Sequence, residues 1–173
     1  MPRRPKPLPE KLYSSTIGWE GWSFRVLSST EGLRWIELHP VSDEDLSDRL
    51  HARIVPDDGP NAAALDAIHA YLRGELRAFS IPLDLRGTPF QRSVWGALRE
   101  IPYGETVAYS QIASDLGKPR ALRAVGQAVG ANPVPIVIPC HRVVGKDGRL
   151  VGFGGGLPLK ERLLYLERGS LSL

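Results

Sequence analysis

Three prolines within seven residues, Pro133, Pro135 and Pro139, constrain this chain more than any other feature of its sequence. Each proline fixes its own φ angle at about −65° and lacks an amide hydrogen, so no α-helix can run through them. The residue before a proline is also restricted to extended geometry. The run between the last two prolines, IVI, is apolar. We therefore predict an extended, buried segment that delivers Cys140 at its end.

Cys140 is the only cysteine among the 173 residues. It can form no internal disulfide and no multi-cysteine zinc site, so it serves either packing or chemistry. A small core hydrophobe is the commonest role of a free cysteine. Three of the four histidines are scattered over residues 39–69 without a cluster of partners. We therefore expect no metal site and no cofactor.

The charge is distributed unevenly along the chain. Residues 1–80 contain 10 Lys and Arg against 12 Asp and Glu, whereas residues 81–173 contain 12 against 7. The basic second half favours an anionic partner such as nucleic acid, although so small an excess also occurs on ordinary solvated faces. No apolar run reaches the length of a membrane span, and the first residues lack the apolar core of a signal peptide. We expect a cytoplasmic protein with no membrane partner.

The first half predicts a small α/β domain. Residues 1–11 are a basic, proline-bearing stretch that we expect to be a flexible tail, and residues 12–82 form the N-terminal domain. Short apolar runs before residue 39 predict strands and hairpins, and the acidic, turn-rich residues 40–60 predict a loop region. A helix ending at Gly74 is predicted from the spacing of Ala64, Ile68, Tyr71 and Leu72. No chemical motif is evident in this half.

Residues 83–173 predict a mainly helical C-terminal domain. Thr88 and Gln91 have the spacing of a capping box, which predicts a helix that a proline ends at residue 102. Toward the end of the chain, the sequence predicts a hairpin around Asp147 and Gly148, a glycine-rich loop, and a last helix over residues 158–168.

Two short helices joined by a turn at Gly117 predict a helix-turn-helix, with the second helix starting near Pro119. This second helix carries Arg120 and Arg123 near its start. Its body is built of small residues, among them Ala124 and Gly126. Small side chains let a backbone come close to another helix or to the minor groove of DNA, and the residues alone leave both possibilities open.

Three features favour a reactive role for Cys140. A histidine and an arginine follow it, and nearby positive charge or an imidazole lowers the pKa of a thiol. The prolines hold the cysteine in one geometry. Glu167 lies on the same face of the last helix as Leu159 and Leu163, so it either bonds His141 in a Cys-His-Glu relay or turns to solvent. Because neighbouring side chains on an extended chain point apart, we expect a water between Cys140 and His141.

The motif NPVPIVIPCHRVVG, with AYSQIA and RAVGQAVGAN before it and GFGGG and LLYLE after it, resembles the O6-alkylguanine-DNA alkyltransferases. The resemblance covers residues 84–173 closely, and residues 1–80 only in length and strand content. It implies a ribonuclease-H-like sheet in the first domain and a winged-helix-like helix-turn-helix in the second. It also implies single-turnover DNA repair by base flipping, in which the cysteine takes the alkyl group from O6-alkylguanine, and from O4-alkylthymine, in double-stranded DNA. A monomer is expected, with cooperative binding along DNA left open.

The same resemblance implies roles for individual residues. Cys140 would accept the alkyl group, His141 would be its base through a water, and Glu167 would orient His141. Tyr109 would help rotate the nucleotide out and protonate the departing guanine, while Asn132 would tie the second helix to the active-site segment. At the DNA surface it implies Arg123, which fills the gap left by the flipped base, Arg120, Tyr109, Ala124 and Gly126. In the substrate pocket it implies Pro135, Val143, Phe153, Gly154 and Gly155, with the carbonyls of Cys140 and Val143 reading the guanine amino group.

The sequence departs from the family at the pocket. Phe153 and Gly154 stand where tyrosine and serine are common, and Ala108 stands where serine is frequent, which bears on pocket rigidity and alkyl size.

Two other functions remain open. A damage-sensing DNA-binding protein would do no chemistry, and Cys140 argues against it. A cysteine hydrolase would turn over an ester or amide many times, but no oxyanion hole is recognisable in the sequence.

Overall fold

The computed structural model describes residues 9–169, which form a four-stranded sheet and six α-helices. The strand order is β3-β2-β1-β4; β1 is antiparallel to β2, β2 is antiparallel to β3, and β4 runs parallel to β1. The strands are β1 (Glu10–Trp19), β2 (Trp22–Ser28), β3 (Leu33–Glu37) and β4 (Ala52–Pro56). The predicted strands and hairpins before residue 39 are confirmed.

The acidic region predicted as a loop instead contains helix α1 (Asp43–Leu50) and strand β4. The Ser42 side chain caps the helix by accepting a hydrogen bond from the Asp45 amide, and three acidic residues in the first turn favour the positive end of the helix dipole. The buried side chain of Leu46 anchors the helix. The acidic residues therefore belong to a helix start.

Strand β1 also overlaps the end of the predicted tail. Strand β1 begins at Glu10, two residues before the expected boundary, because Glu10 pairs with Ala52 and its carboxylate binds Arg86. Residues 1–8 of the tail lie outside the described residues. Helix α2 (Ala62–Leu72) follows β4, which confirms the predicted helix, and its buried residues are Ala64, Ile68, Tyr71 and Leu72.

The second half is mainly helical. Its helices are α3 (Pro89–Arg99), α4 (Tyr109–Asp115), α5 (Leu122–Gly130) and α6 (Leu157–Gly169), and two short parallel strands are β5 (Val107–Ala108) and β6 (Val143–Val144). The capping box of α3 is confirmed, since Thr88 and Gln91 bond each other's backbone amides. The buried Trp95 indole donates to the Ala128 carbonyl at 2.9 Å and fixes α3 against α5.

Two predicted details of this half are wrong. Helix α5 starts at Leu122 because residues 118–121 close a turn through a hydrogen bond from the Ala121 amide to the Lys118 carbonyl, so Arg120 lies in the turn. The turn around Asp147 and Gly148 is present, but the hairpin is not, since β6 pairs with β5 instead of with the residues after the turn.

The sheet and the helical half share one hydrophobic core, which includes Phe24 and Ile36 on one side and Leu98 and Leu163 on the other. The free edge of β3 is covered by the second half of the chain. The Leu33 amide donates to the Pro82 carbonyl, and the Ile36 amide donates to the Pro133 carbonyl at 2.8 Å. Strand β3 thereby supports the proline-rich segment directly. In residues 9–169 we find no helix with the length and apolarity to cross a membrane.

Replacing Thr88 tests the start of α3. The Thr88→Ala change removes the cap of an exposed helix start, and we expect the free energy of unfolding to fall by about 1 kcal/mol in urea denaturation. Thr88→Ser keeps the hydroxyl and is the matched control. If the alanine and serine variants unfolded at the same urea concentration, the cap would contribute nothing.

Candidate active site

The proline-rich segment forms a compact buried turn, which corrects the predicted extended segment. The Asn132 side chain accepts from the Val134 amide at 3.0 Å and donates to the Ile138 carbonyl at 2.8 Å, and the Ile138 amide returns to the Val134 carbonyl. Ile136 has a φ of 76°, a conformation that β-branched residues rarely adopt. The prolines thus restrict each residue while the Asn132 side chain folds the segment back on itself.

Cys140 opens a single 3₁₀ turn, Cys140–Arg142, which follows Pro139. The turn sends neighbouring side chains to different places. Cys140 is 7% exposed and lines a cavity, while the His141 and Arg142 side chains are buried against α6. The cysteine and the histidine therefore occupy adjoining compartments of the site.

Glu167 lies near the end of α6 and has no exposed surface. Leu159 and Leu163 on the same helix are also fully buried, so the predicted stripe is confirmed. The alternative of a solvent-facing Glu167 is wrong. The Nε2 atom of His141 donates to its carboxylate at 2.8 Å, and the guanidinium of Arg142 donates to both oxygens. The other donors to this carboxylate are the Tyr71 hydroxyl at 2.7 Å and the Gly104 amide at 3.0 Å.

These contacts fix the protonation states of the pair. Burial raises the pKa of Glu167, but hydrogen bonds from His141 and Arg142, with the charge of Arg142, outweigh burial and lower it to about 2. Burial lowers the pKa of His141 despite the neighbouring carboxylate. The histidine is therefore neutral at pH 7, with its proton on Nε2. Its Nδ1 atom is buried without a hydrogen-bond partner among residues 9–169 and is free to accept a proton.

The thiol itself is less acidic than the sequence predicted. Burial raises the pKa of Cys140 to about 11, and hydrogen bonding from Asn132 and the charge of Lys160 offset only part of this effect. The expectation that positive neighbours lower this pKa below its ordinary value is wrong, because the thiol is buried and the adjacent histidine is neutral. The resting state at pH 7 is therefore a thiol, whose proton must be removed before it can act as a nucleophile.

A cavity of about 190 Å³ opens beside Cys140. Of the predicted pocket residues, Pro135, Phe153 and Gly154 line it, while Val143 and Gly155 do not. Val143 is buried with its carbonyl accepting from Lys160, and Gly155 packs against Leu38 and Leu159. The remaining lining residues are Leu38, Tyr109, Gly126, Val129, Gly130, Asn132 and Gly152.

Of the predicted DNA-facing residues, Tyr109 and Gly126 line this cavity. Tyr109 begins α4, and burial together with Cys140 raises its phenol pKa. Arg123 and Ala124 are exposed on α5, the helix whose Gly126 lines the cavity, and Arg120 is exposed in the preceding turn. The apolar face of α5, with Val125, Ala128 and Val129, is buried.

Sequence reasoning missed several residues of the site, including Leu38, His39, Tyr71 and Lys160. Lys160 is buried in α6, and its ammonium donates to the carbonyls of Val143, Val151 and Gly152. The other three come from the half in which no chemical motif was recognised. Leu38 lines the cavity, the ring of His39 hydrogen-bonds to the Gly154 carbonyl, and Tyr71 binds Glu167. Among residues 9–169 no group of His, Cys, Asp or Glu side chains is placed to hold a metal ion.

Comparisons with known proteins identify relatives of this chain. The family model described as 6-O-methylguanine DNA methyltransferase, DNA binding domain, matches residues 89–169. A Bacillus subtilis (strain 168) protein named methylated-DNA–protein-cysteine methyltransferase, inducible, is 43% identical over 166 residues, which are 93% of each chain. The crystal structure of Mycobacterium tuberculosis O6-methylguanine methyltransferase superposes with a TM-score of 0.80 and 41% identity, covering 92% of this chain and 94% of that one. The structure of Mycobacterium tuberculosis OGT in complex with DNA gives a TM-score of 0.81 at the same identity and coverage.

The raised thiol pKa predicts how Cys140 reacts with a small electrophile. The rate of alkylation by iodoacetamide, measured by mass spectrometry, should be low at pH 7 in the native protein. It should increase with pH until about pH 11. In denaturant the rate should instead level off above about pH 8.5, the ordinary pKa of cysteine. A native rate that levels off at or below the pH found in denaturant would contradict the assignment.

Proposed function

The chain belongs to the methylated-DNA–protein-cysteine methyltransferase family, and we propose that Cys140 takes the alkyl group from O6-alkylguanine, and from O4-alkylthymine, in double-stranded DNA. Its activity is DNA repair by transfer of an alkyl group to the protein. The observation that supports Cys140 as the acceptor is its position beside the cavity, next to a neutral histidine held by a buried carboxylate.

The proposed reaction moves one alkyl group and one proton. The Cys140 thiol gives its proton through a water to Nδ1 of His141, and Glu167 stabilises the imidazolium that forms. The thiolate attacks the alkyl carbon in line, the carbon–oxygen bond breaks, and Tyr109 protonates the departing guanine. The phenolate of Tyr109 then regains the proton held on His141. The products are guanine and a thioether, which water does not cleave, so each molecule acts once.

We infer a minor-groove approach through α4 and α5. The buried apolar face of α5 packs on the core, which leaves Arg123 and Ala124 on its outer face to meet DNA. Small residues there allow close backbone approach, and the target atom is inaccessible in stacked DNA, so the base must be flipped. Arg123 fills the gap in the duplex, Arg120 holds a phosphate, and Asn132 keeps α5 in register with the cysteine segment.

The finer features of the fold and cell biology are proposed on the same basis. The order β3-β2-β1-β4 supports a ribonuclease-H-like sheet in the first half of the chain, and α4 with α5 supports a winged-helix-like helix-turn-helix in residues 83–173. A monomer in the cytoplasm, needing no cofactor or metal, is consistent with direct transfer to a protein side chain.

Intact mass tests the proposed reaction. After incubation with duplex DNA carrying one O6-methylguanine, the protein should gain one methyl group per molecule, and peptide mapping should place it on Cys140. Cys140→Ser should gain none. Lesion binding without a mass gain would favour a damage sensor, and repeated turnover of an ester or amide would favour a cysteine hydrolase.

Arg123 is tested by comparing two substrates. Because base flipping costs a few kcal/mol, Arg123→Ala should slow methyl transfer from duplex DNA by about 10-fold or more. Transfer from the free base O6-benzylguanine, which needs no flipping, should change far less. Arg120→Ala removes one positive charge from the turn and should weaken DNA binding. It should also reduce the slope of the logarithm of the binding constant against the logarithm of salt concentration by about one. Equal losses on both substrates for Arg123→Ala would contradict its role.

A further inference from the structure

Tyr71 lies at the end of α2, far in sequence from Cys140, yet its hydroxyl reaches the centre of the site. It donates to Oε1 of Glu167 at 2.7 Å and lies 3.2 Å from Nε2 of His141. The side chain is fully buried. Phe79 and Tyr103 pack against its ring, with centroids 5.3 and 6.1 Å away, and hold it in place.

The geometry determines which groups donate. Burial, with the charge of Glu167 beside it, raises the pKa of Tyr71, so the phenol keeps its proton and donates it to the carboxylate. The lone pairs of the same oxygen then face the Nε2–H of His141. That proton lies between two acceptors, the Tyr71 oxygen and Oε1 of Glu167. An imidazole held in this way carries its proton on Nε2 and leaves Nδ1 as the base.

We propose that Tyr71 is a positioning residue for the alkyl transfer, which holds Glu167 and the Nε2–H tautomer of His141 from the sheet-bearing half of the chain. The inference rests on the proposed relay from Cys140 through His141 to Glu167. Arg142 cannot replace Tyr71 in this role. Its guanidinium offers only donors, so it holds the carboxylate but cannot accept the histidine proton.

Tyr71→Phe removes only the hydroxyl and is the direct test. Single-turnover methyl transfer from duplex O6-methylguanine DNA should show a saturating rate lower by about 10-fold or more, as for other groups that orient a reactive histidine. The DNA concentration at half saturation should stay within about twofold of the unsubstituted value, because Tyr71 is buried away from the proposed DNA surface.

Tyr103→Phe is the matched control. The Tyr103 hydroxyl belongs to the same aromatic cluster and is buried without a hydrogen-bond partner in the described part of the chain, so its removal should leave the transfer rate unchanged. ¹⁵N NMR spectra of the His141 ring report its tautomer, which a change in packing alone would not alter. In Tyr71→Phe the ring should shift from the form with unprotonated Nδ1 toward a mixture of tautomers, and in Tyr103→Phe it should not.

Three results would overturn the inference. Equal rates for Tyr71→Phe and the unsubstituted protein would remove Tyr71 from the mechanism while leaving the proposed function intact. Equal losses in both variants, with an unchanged tautomer, would reduce Tyr71 to packing. No transfer by the unsubstituted protein would overturn the proposed function as well. If Tyr71→Phe does not fold, NMR spectra of the unsubstituted protein provide the test. They must show a proton on Nε2 of His141, close to a Tyr71 hydroxyl proton that exchanges slowly with water.

Discussion

The Glu167 carboxylate is fully buried, and a buried carboxylate is stable only when hydrogen-bond donors surround it. Its donors come from separate parts of the chain: α2, the loop before β5, and the 3₁₀ turn after the prolines. Satisfying one buried charge therefore fixes where the histidine, the arginine and the end of α2 meet. The same requirement sets the protonation of the site, because a carboxylate kept ionised in this way holds the neutral histidine by its Nε2–H.

The sheet-bearing half is part of the active site through its edge strand as well as through Tyr71. The Ile36 amide of strand β3 donates a hydrogen bond to the Pro133 carbonyl. Just after the strand, Leu38 lines the cavity and the His39 ring hydrogen-bonds to the Gly154 carbonyl. An unpaired strand edge is a liability for a soluble protein, and here the active-site segment covers it. The cavity wall and the position of the cysteine therefore depend on how the sheet packs on the helical half.

The sequence predicted those parts of the site that local periodicity or composition encodes. Helical spacing placed Glu167 on a leucine stripe but left open whether it binds His141 or turns to solvent, and the capping box predicted the start of α3. Tyr71 was predicted as part of a helix, but spacing carries no sign of a hydrogen bond to a residue 96 positions away. Prolines restrict single residues without showing how a chain reverses, so the turn made by Asn132 and Ile136 was missed. The direction of the thiol pKa was wrong because it depends on burial, which adjacent charges in the sequence do not reveal.

The two pKa directions have a consequence for a protein that is used once. A thiolate always present at pH 7 would be consumed by any small electrophile, since the thiolate is the reactive form. Here burial holds the proton on Cys140, and burial also keeps His141 neutral, so proton transfer between them is uphill in the free protein. In the proposed mechanism, the relay supplies a base beside Cys140 although no thiolate is present at rest. An alkyl carbon held in line within the cavity would then turn a brief deprotonation into a bond, so the proposal derives selectivity from geometry together with the resting protonation state.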